Sequence, residues 1–303
     1  MKPSAYIGRF APSPTGPLHF GSLVCALASF LDARHHHGKW LVRIEDLDPP
    51  RALSGATTTI LKQLESHGLW WDGDLLYQSQ RDEAYRAALT QLQDDGLTYT
   101  CDCNRQRIAE LGGLYDGHCR QREVSSESAI RLRLPDRDSD SEITFDDLIM
   151  GPYRQNLNSD VGDFVIKRRD GLISYQLAVT VDDYFQRVSH IIRGADLLDS
   201  TPRQLYLQRC LGFFSADTAP MQYAHVPLAI NAEGQKLSKQ NHAPAVISGS
   251  ESKSLWQALK WLQQAPPSEL QSDSVDNILN WATVNWSIAN IPTKMAVAAP
   301  SYV

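Results

Sequence analysis

The chain has 303 residues, with 29 Lys+Arg against 35 Asp+Glu, a formal net charge of −6, and 42% hydrophobic against 21% charged residues. That balance is typical of a globular protein and excludes a disordered or fibrous chain. A pI of about 5.8 argues against a non-specific nucleic-acid binder but not against a specific RNA met through local Arg and Lys patches.

The longest nearly apolar run, Leu23–Leu31, is half of what a membrane span requires, and the first residues carry no signal-like apolar stretch. A cytoplasmic address without a membrane partner is expected. Residues 5–11 read as a short buried strand, and Pro12-Ser13-Pro14-Thr15-Gly16-Pro17 then stops regular structure. From His19 the apolar residues Leu23, Leu27, Phe30 and Leu31 recur at three and four, predicting a helix that Gly38 ends. Trp40–Glu45 reads as a second strand. Helices are predicted at about 55–67 and 81–95, the second closed by Gly96.

Residues 98–160 change character, with cysteines, charges and short strand-like pieces such as Ile130–Leu134, and read as an inserted module. Strand and helix alternate again from Phe164–Lys167 through Tyr175–Val181, Ile191–Arg193, a helix over Thr201–Leu211 and a last apolar strand, Val226–Ile230. Two helices, near 253–264 and 274–286, are predicted in the Ser-, Ala- and Gln-rich end. Such alternation makes an α/β fold, a parallel sheet with helices on both faces. Residues 1–97 and 161–245 are therefore read as two halves of one catalytic domain, 98–160 as the insertion and 246–303 as a short helical C-terminal region. Cys25 and Cys210 read as core, His35-His36-His37 as a solvated helix end, and Trp256, Trp261, Trp281 and Trp286 as packing residues.

Two loops carry chemistry. In the first, a strand runs through the Pro/Gly loop into a helix that begins at His19, Gly21 and Ser22. That order aims backbone N–H groups and the positive helix end at an anion. Gly21 lets a flat base lie against the backbone, and His19 can donate to a phosphate. Alone, the pattern also fits a structural histidine beside a packing glycine. The second loop, Gly234-Gln235-Lys236-Leu237-Ser238-Lys239-Gln240, places two lysines three apart, suited to closing over a polyphosphate. Alone, it also fits a solvated surface loop.

Together the two loops resemble the HIGH and KMSKS signatures of class I aminoacyl-tRNA synthetases, here His19-Phe20-Gly21-Ser22 and Lys236-Leu237-Ser238-Lys239-Gln240. Arg9–Gly16, Arg43-Ile44-Glu45-Asp46, Ile192–Asp196 and Thr201–Gln204 narrow the resemblance to the glutamyl-tRNA synthetase catalytic domain over about residues 5–245. The signatures depart from the family pattern at Ser22 and Gln240. The chain gives only two or three short helices after the lysine loop, where a full-length glutamyl-tRNA synthetase continues into an anticodon-binding region. With the Cys-x-Cys insertion, it looks like the short glutamyl-Q tRNA(Asp) synthetase family. That resemblance implies a Rossmann-type sheet with an inserted zinc module, ATP-dependent activation of L-glutamate without tRNA, and transfer to the queuosine base at the first anticodon position of tRNA(Asp). Mg²⁺ accompanies the ATP, and the working unit is expected to be a monomer.

Glutamate carries two carboxylates and an ammonium, so its site needs guanidinium and carboxylate partners. Arg9 and Arg193, at strand ends, are the candidate anion partners; Glu45 is the candidate for the ammonium, with Ser13 and Tyr175 completing the pocket. Arg9 and Glu45 alone also fit a structural ion pair. His19, Gly21, Lys236 and Lys239 are the candidate catalytic residues, and Ser22 and Ser238 join them in holding ATP. The chemistry needs no protein nucleophile; positioning and charge stabilisation carry it.

Cys101-x-Cys103 and Cys119 place three thiolates within 19 residues, suiting a tetrahedral structural Zn²⁺. The short family's Cys-x-Cys-x11-Tyr-x3-Cys pattern makes Tyr115 the fourth ligand, whereas general ligand chemistry favours His118. Two rival functions remain open: a related enzyme charging another acceptor, truncated synthetase or small-molecule nucleotidyltransferase, and a non-catalytic RNA-binding paralogue.

Overall fold

A computed structural model describes residues 6–124, 128–136, 138–213, 220–237 and 244–300. The first half runs β1 (Ile7–Phe10), α1 (Phe20–His35), β2 (Lys39–Ile44), α2 (Ala56–Ser66), β3 (Leu76–Tyr77) and α3 (Asp82–Asp94). Then follow β4 (Thr98–Cys101), α4 (Arg105–Glu110), β5 (Ala129–Leu132), α5 (Asp138–Ser141), β6 (Glu142–Asp147), β7 (Gly151–Asn156), α6 (Leu157–Asp160) and β8 (Phe164–Lys167). The remainder is α7 (Tyr175–Phe185), β9 (His190–Gly194), α8 (Thr201–Cys210), β10 (Gln222–Val226), β11 (Leu228–Ile230), α9 (Glu251–Trp261), α10 (Val275–Asn285) and β12 (Ala296–Ala298).

The main sheet has the strand order β3-β2-β1-β9-β10-β6-β7. Its neighbours pair in parallel except at the β7 edge, which runs antiparallel to β6. Alternate residues of one strand serve different layers, as the strand period of two requires. Ile192, Ala224 and Val226 pack with α1, α2, α9 and α10, while Ile191 and Tyr223 pack with α3, α7 and α8. The Rossmann-type parallel sheet covered on both faces is thus present.

Two elements differ from the sequence reading. Phe164–Lys167 does not resume the parallel sheet. It pairs antiparallel with β5, closing a separate small sheet of order β4-β5-β8. The stretch Val226–Ile230 divides at Pro227, which has no N–H to continue a ladder. β10 stays in the main sheet, and β11 leaves it to pair with β12. Of the span 98–160, β4 and β5 belong to the small sheet while β6 and β7 extend the main one.

The β1–α1–β2 unit is tight where helix meets strand. A Cβ at Gly38 would lie 2.5 Å from the Tyr6 carbonyl oxygen, so only glycine lets the chain turn from α1 into β2. The C-terminal helices lock onto the same unit through one carboxylate. Asp32 is buried on α1 and accepts from the Trp286 indole N–H at 2.8 Å and from the Tyr6 hydroxyl. Among the described residues no helix is long and apolar enough to cross a membrane.

Replacing Asp32 by Ala strands both buried donors and is expected to destabilise the fold by about 2–4 kcal/mol, read as a shift of the urea midpoint. An unchanged midpoint would show that Trp286 and Tyr6 find other partners.

Candidate active site and metal centre

The parallel strands deliver charge to one end of the sheet, where α/β proteins place their sites. A cavity of about 810 Å³ opens there, lined by Arg9, Ser13, His19, Gly21, Ser22, Glu45, Tyr175, Arg193 and Lys236. Every site residue expected around glutamate and ATP that lies within the described residues is in this wall. Ser238 and Lys239 lie outside the described residues.

His19 is the N-cap of α1. Its Nδ1 accepts from the Ser22 backbone N–H at 3.3 Å, and Ser22 Oγ receives the His19 backbone N–H at 2.8 Å, a reciprocal cap. With Nδ1 accepting, the neutral ring carries its proton on Nε2, a donor suited to phosphate oxygen. A Cβ at Gly21 would stand 3.2 Å from His19 Cε1, so the glycine leaves the imidazole its room. The lysine loop turns at Gly234 and returns along β11, where Lys236 bridges to Ile230 and its ammonium pairs with Asp196. Cys25, read as core, also lines the cavity; burial first, and Asp196 next, push its thiol up to about 12.

Arg9 and Glu45 sit beside each other, but a third group organises them. Asp183 on α7 accepts Arg9 Nε at 3.0 Å and Arg43 Nη1 at 2.8 Å, and Arg43 Nη2 reaches Glu45 at 3.4 Å. Arg43 is fully buried. Burial works against the Asp183 charge, but Arg43 and Arg9 outweigh it and hold its carboxyl below the ordinary value. For Glu45, burial prevails over Arg43 and Arg9, and its carboxyl is raised.

Across the cavity Arg193 Nη1 donates to the Tyr175 hydroxyl at 3.3 Å, Nη2 to Thr201 Oγ1 at 2.7 Å, and Nε to His225 Nε2 at 3.1 Å. The roles of Arg43, Asp183 and His225 escaped the sequence reading, as did that of Asp147, whose carboxylate lies 2.6 Å from His225 Nδ1. Their signal was present: a charged or polar residue within an apolar strand or helix implies a buried partner.

The cysteine cluster is some way along the chain but equally compact. The Sγ atoms of Cys101, Cys103 and Cys119 lie within 4.8 Å of one another, with Cys103 and Cys119 at 3.6 Å. Tyr115 Oη is 3.5 Å from Cys101 Sγ and accepts the Cys119 backbone N–H at 2.9 Å. His118 is not among the grouped side chains. Three sulfurs around one Zn²⁺ stand about 3.8 Å apart, so the set fits a metal ion. Burial opposes the Cys101 thiolate, but the Tyr115 hydroxyl and Arg131, whose Nε is 3.1 Å from the sulfur, bring its pKa below the ordinary value.

Arg43→Met would leave Asp183 and Glu45 short of a buried counter-ion. The expected cost is about 3–5 kcal/mol, measured by denaturant unfolding, and a variant as stable as the parent would show that Arg9 alone neutralises both carboxylates.

The model of the tRNA synthetases class I (E and Q) catalytic domain matches residues 7–254. The glutamyl-Q tRNA(Asp) synthetase of Thiobacillus denitrificans is 51% identical over 307 residues, covering 99% of this chain and 100% of that one. The protein of the same name from Serratia proteamaculans is 49% identical, covering 98% and 96%. In fold, the chain is similar to the glutamate-tRNA synthetase of Elizabethkingia anophelis, with a TM-score of 0.79 at 23% identity over 99% of this chain and 69% of that one. Family model, near-complete relatives and fold agree, and the chain belongs to the class I tRNA synthetases (E and Q), among the glutamyl-Q tRNA(Asp) synthetases.

Proposed function

We propose that the protein activates L-glutamate with ATP and transfers the glutamyl group to the queuosine base at the first anticodon position of tRNA(Asp). The observation that carries the activation step is the charge pattern of the 810 Å³ cavity: buried guanidinium groups at Arg9 and Arg193 and a half-buried carboxylate at Glu45. Glutamate presents the complementary set of two carboxylates and an ammonium. The acceptor follows from the relatives' names, which are shared over nearly the whole chain.

In this reading Arg9 and Arg193 take the carboxylates, Glu45 takes the ammonium, and Ser13 and Tyr175 complete the pocket. An α-carboxylate oxygen attacks the α-phosphorus of ATP, and the bond to the bridging oxygen breaks with pyrophosphate leaving. A queuosine ring hydroxyl then attacks the acyl carbon and expels AMP, the hydroxyl proton passing to phosphate or water. His19 Nε2–H and the Lys236 ammonium, drawn from Asp196, meet the charge that grows on the phosphates, with Ser22 beside them; Ser238 and Lys239 extend the same loop. Gly21 keeps the nucleotide side of the wall open. Mg²⁺ accompanying ATP, held mostly by phosphates and water, would supply further charge neutralisation there. The enzyme works as a monomer in the cytoplasm.

Labelled glutamate with ATP should transfer to bulk tRNA from cells that make queuosine and not to tRNA from cells that lack it. Equal labelling of both would mean acceptor-end charging. No labelling of either, with pyrophosphate exchange intact, would mean that another acceptor is used.

We further read Cys101, Cys103, Cys119 and Tyr115 as a structural zinc site, since four protein ligands leave no open position. Cys103→Ser is expected to lower bound zinc from about one per chain, measured by atomic emission, and to lower the melting temperature. Full zinc in that variant would mean another ligand set.

A further inference from the structure

Arg193 enters the cavity already heavily engaged. A guanidinium has five N–H donors. Two on Nη2 go to Thr201 Oγ1 at 2.7 Å and the Leu197 carbonyl at 3.3 Å, one on Nη1 goes to Tyr175, and the Nε–H goes to His225 Nε2 at 3.1 Å. Among the described residues, one N–H, on Nη1, is left for a bound carboxylate. Where that donor stands depends on the groups that hold the other four.

His225 is the least expected of these groups. It lies on β10, fully buried, and its Nδ1 is 2.6 Å from Asp147 Oδ2. Arginine Nε can only donate, so His225 Nε2 must accept, and the ring proton must lie on Nδ1, donated to Asp147. Asp147 is itself fixed at the end of β6. Its Oδ1 accepts the backbone N–H groups of Ile149 at 3.0 Å, Met150 at 2.8 Å and His225 at 3.1 Å. The carboxylate cannot turn without losing three hydrogen bonds, so it imposes one tautomer on the histidine.

We propose that Asp147 and His225 are positioning residues that hold Arg193 for the glutamate carboxylate, Asp147 by fixing the His225 tautomer and His225 by receiving the Arg193 Nε–H. The proposal rests on the reading of the cavity as the glutamate pocket. It gives the segment between the small-sheet strands β5 and β8 a part in amino-acid recognition, because β6 carries Asp147 into the main sheet beside β10.

The test is pyrophosphate exchange by the full chain, varying glutamate and then ATP. In Asp147→Asn the amide keeps its oxygen under the three backbone N–H groups and turns its NH₂ toward His225 Nδ1. The ring proton then moves to Nε2 and confronts the Arg193 Nε–H. Asp147→Asn and His225→Leu should each raise the KM for glutamate about tenfold or more, with the KM for ATP nearly unchanged. His225→Gln, whose side-chain oxygen can accept from Arg193, should recover most of the loss. An unchanged glutamate KM in Asp147→Asn, an equal rise in both KM values, or no recovery in His225→Gln would overturn the proposal. Should His225→Leu fail to fold, Asp147→Asn and His225→Gln decide it. Exchange by the parent enzyme that does not depend on glutamate would instead overturn the pocket reading itself, and the proposal with it.

Discussion

The site depends on Asp183. Two neighbouring parallel strands, β1 and β2, each bring an arginine to the same end of the sheet, and both guanidiniums are buried. Unpaired, two such charges would cost far more than the core could supply. One carboxylate from α7 lies between them, 3.0 Å from Arg9 and 2.8 Å from Arg43, and makes the arrangement stable. Arg43 is then free on its other side to steady Glu45, so the cation at Arg9 and the anion at Glu45 coexist without cancelling each other. The preceding residue, Asp182, also comes within 4.0 Å of Arg43 Nε, but its hydrogen bonds go to another segment. It accepts from Gln78, Arg81 and Tyr85 and ties the start of α3 to α7.

The same logic recurs at other buried carboxylates. Asp32 joins α1 to the C-terminal helices through Trp286, and Asp147 joins β6 to β10 through His225. Asp163 gathers the Tyr99 hydroxyl, Arg120 and the Leu134 N–H beside the cysteine centre. In that module Arg131 links Cys101 to the Asp163 carbonyl and lies 3.8 Å over the Tyr115 ring. A carboxylate with several donors, at a point where segments distant in sequence meet, serves as the clasp each time. Hydrophobic layers bring the elements together without direction, and these clasps determine how they register.

Much of this was legible in the chain itself. The recurrence of Leu23, Leu27, Phe30 and Leu31 at three and four marked α1, and the predicted helices at 55–67, 81–95, 253–264 and 274–286 correspond to α2, α3, α9 and α10. His19, Gly21 and Lys236 stood out because their backbone setting, a glycine-bearing loop beside a helix start or strand end, is local. What was missed is non-local. Phe164–Lys167 has the composition of any buried strand, and only its partner β5 makes it part of a small antiparallel sheet. Nothing in Val226–Ile230 except Pro227 betrayed the parting of β10 from β11.

Residue types and spacing by themselves therefore determined the α/β class, the loop motifs at His19 and Lys236, the cysteine cluster and the family, because each is written within a few turns of chain or in a short motif. Only the tertiary structure decided which arginine shares a carboxylate with which, that Arg43 and Asp183 stand behind Arg9 and Glu45, and that Asp147 stands behind Arg193. Apart from Arg43 and Glu45, which are two residues apart, those pairings join residues 32 to 174 positions apart. They exist because sheet order brings β1, β2, β9, β10 and β6 side by side, and a buried charge must find its hydrogen-bond partners wherever the fold has placed them.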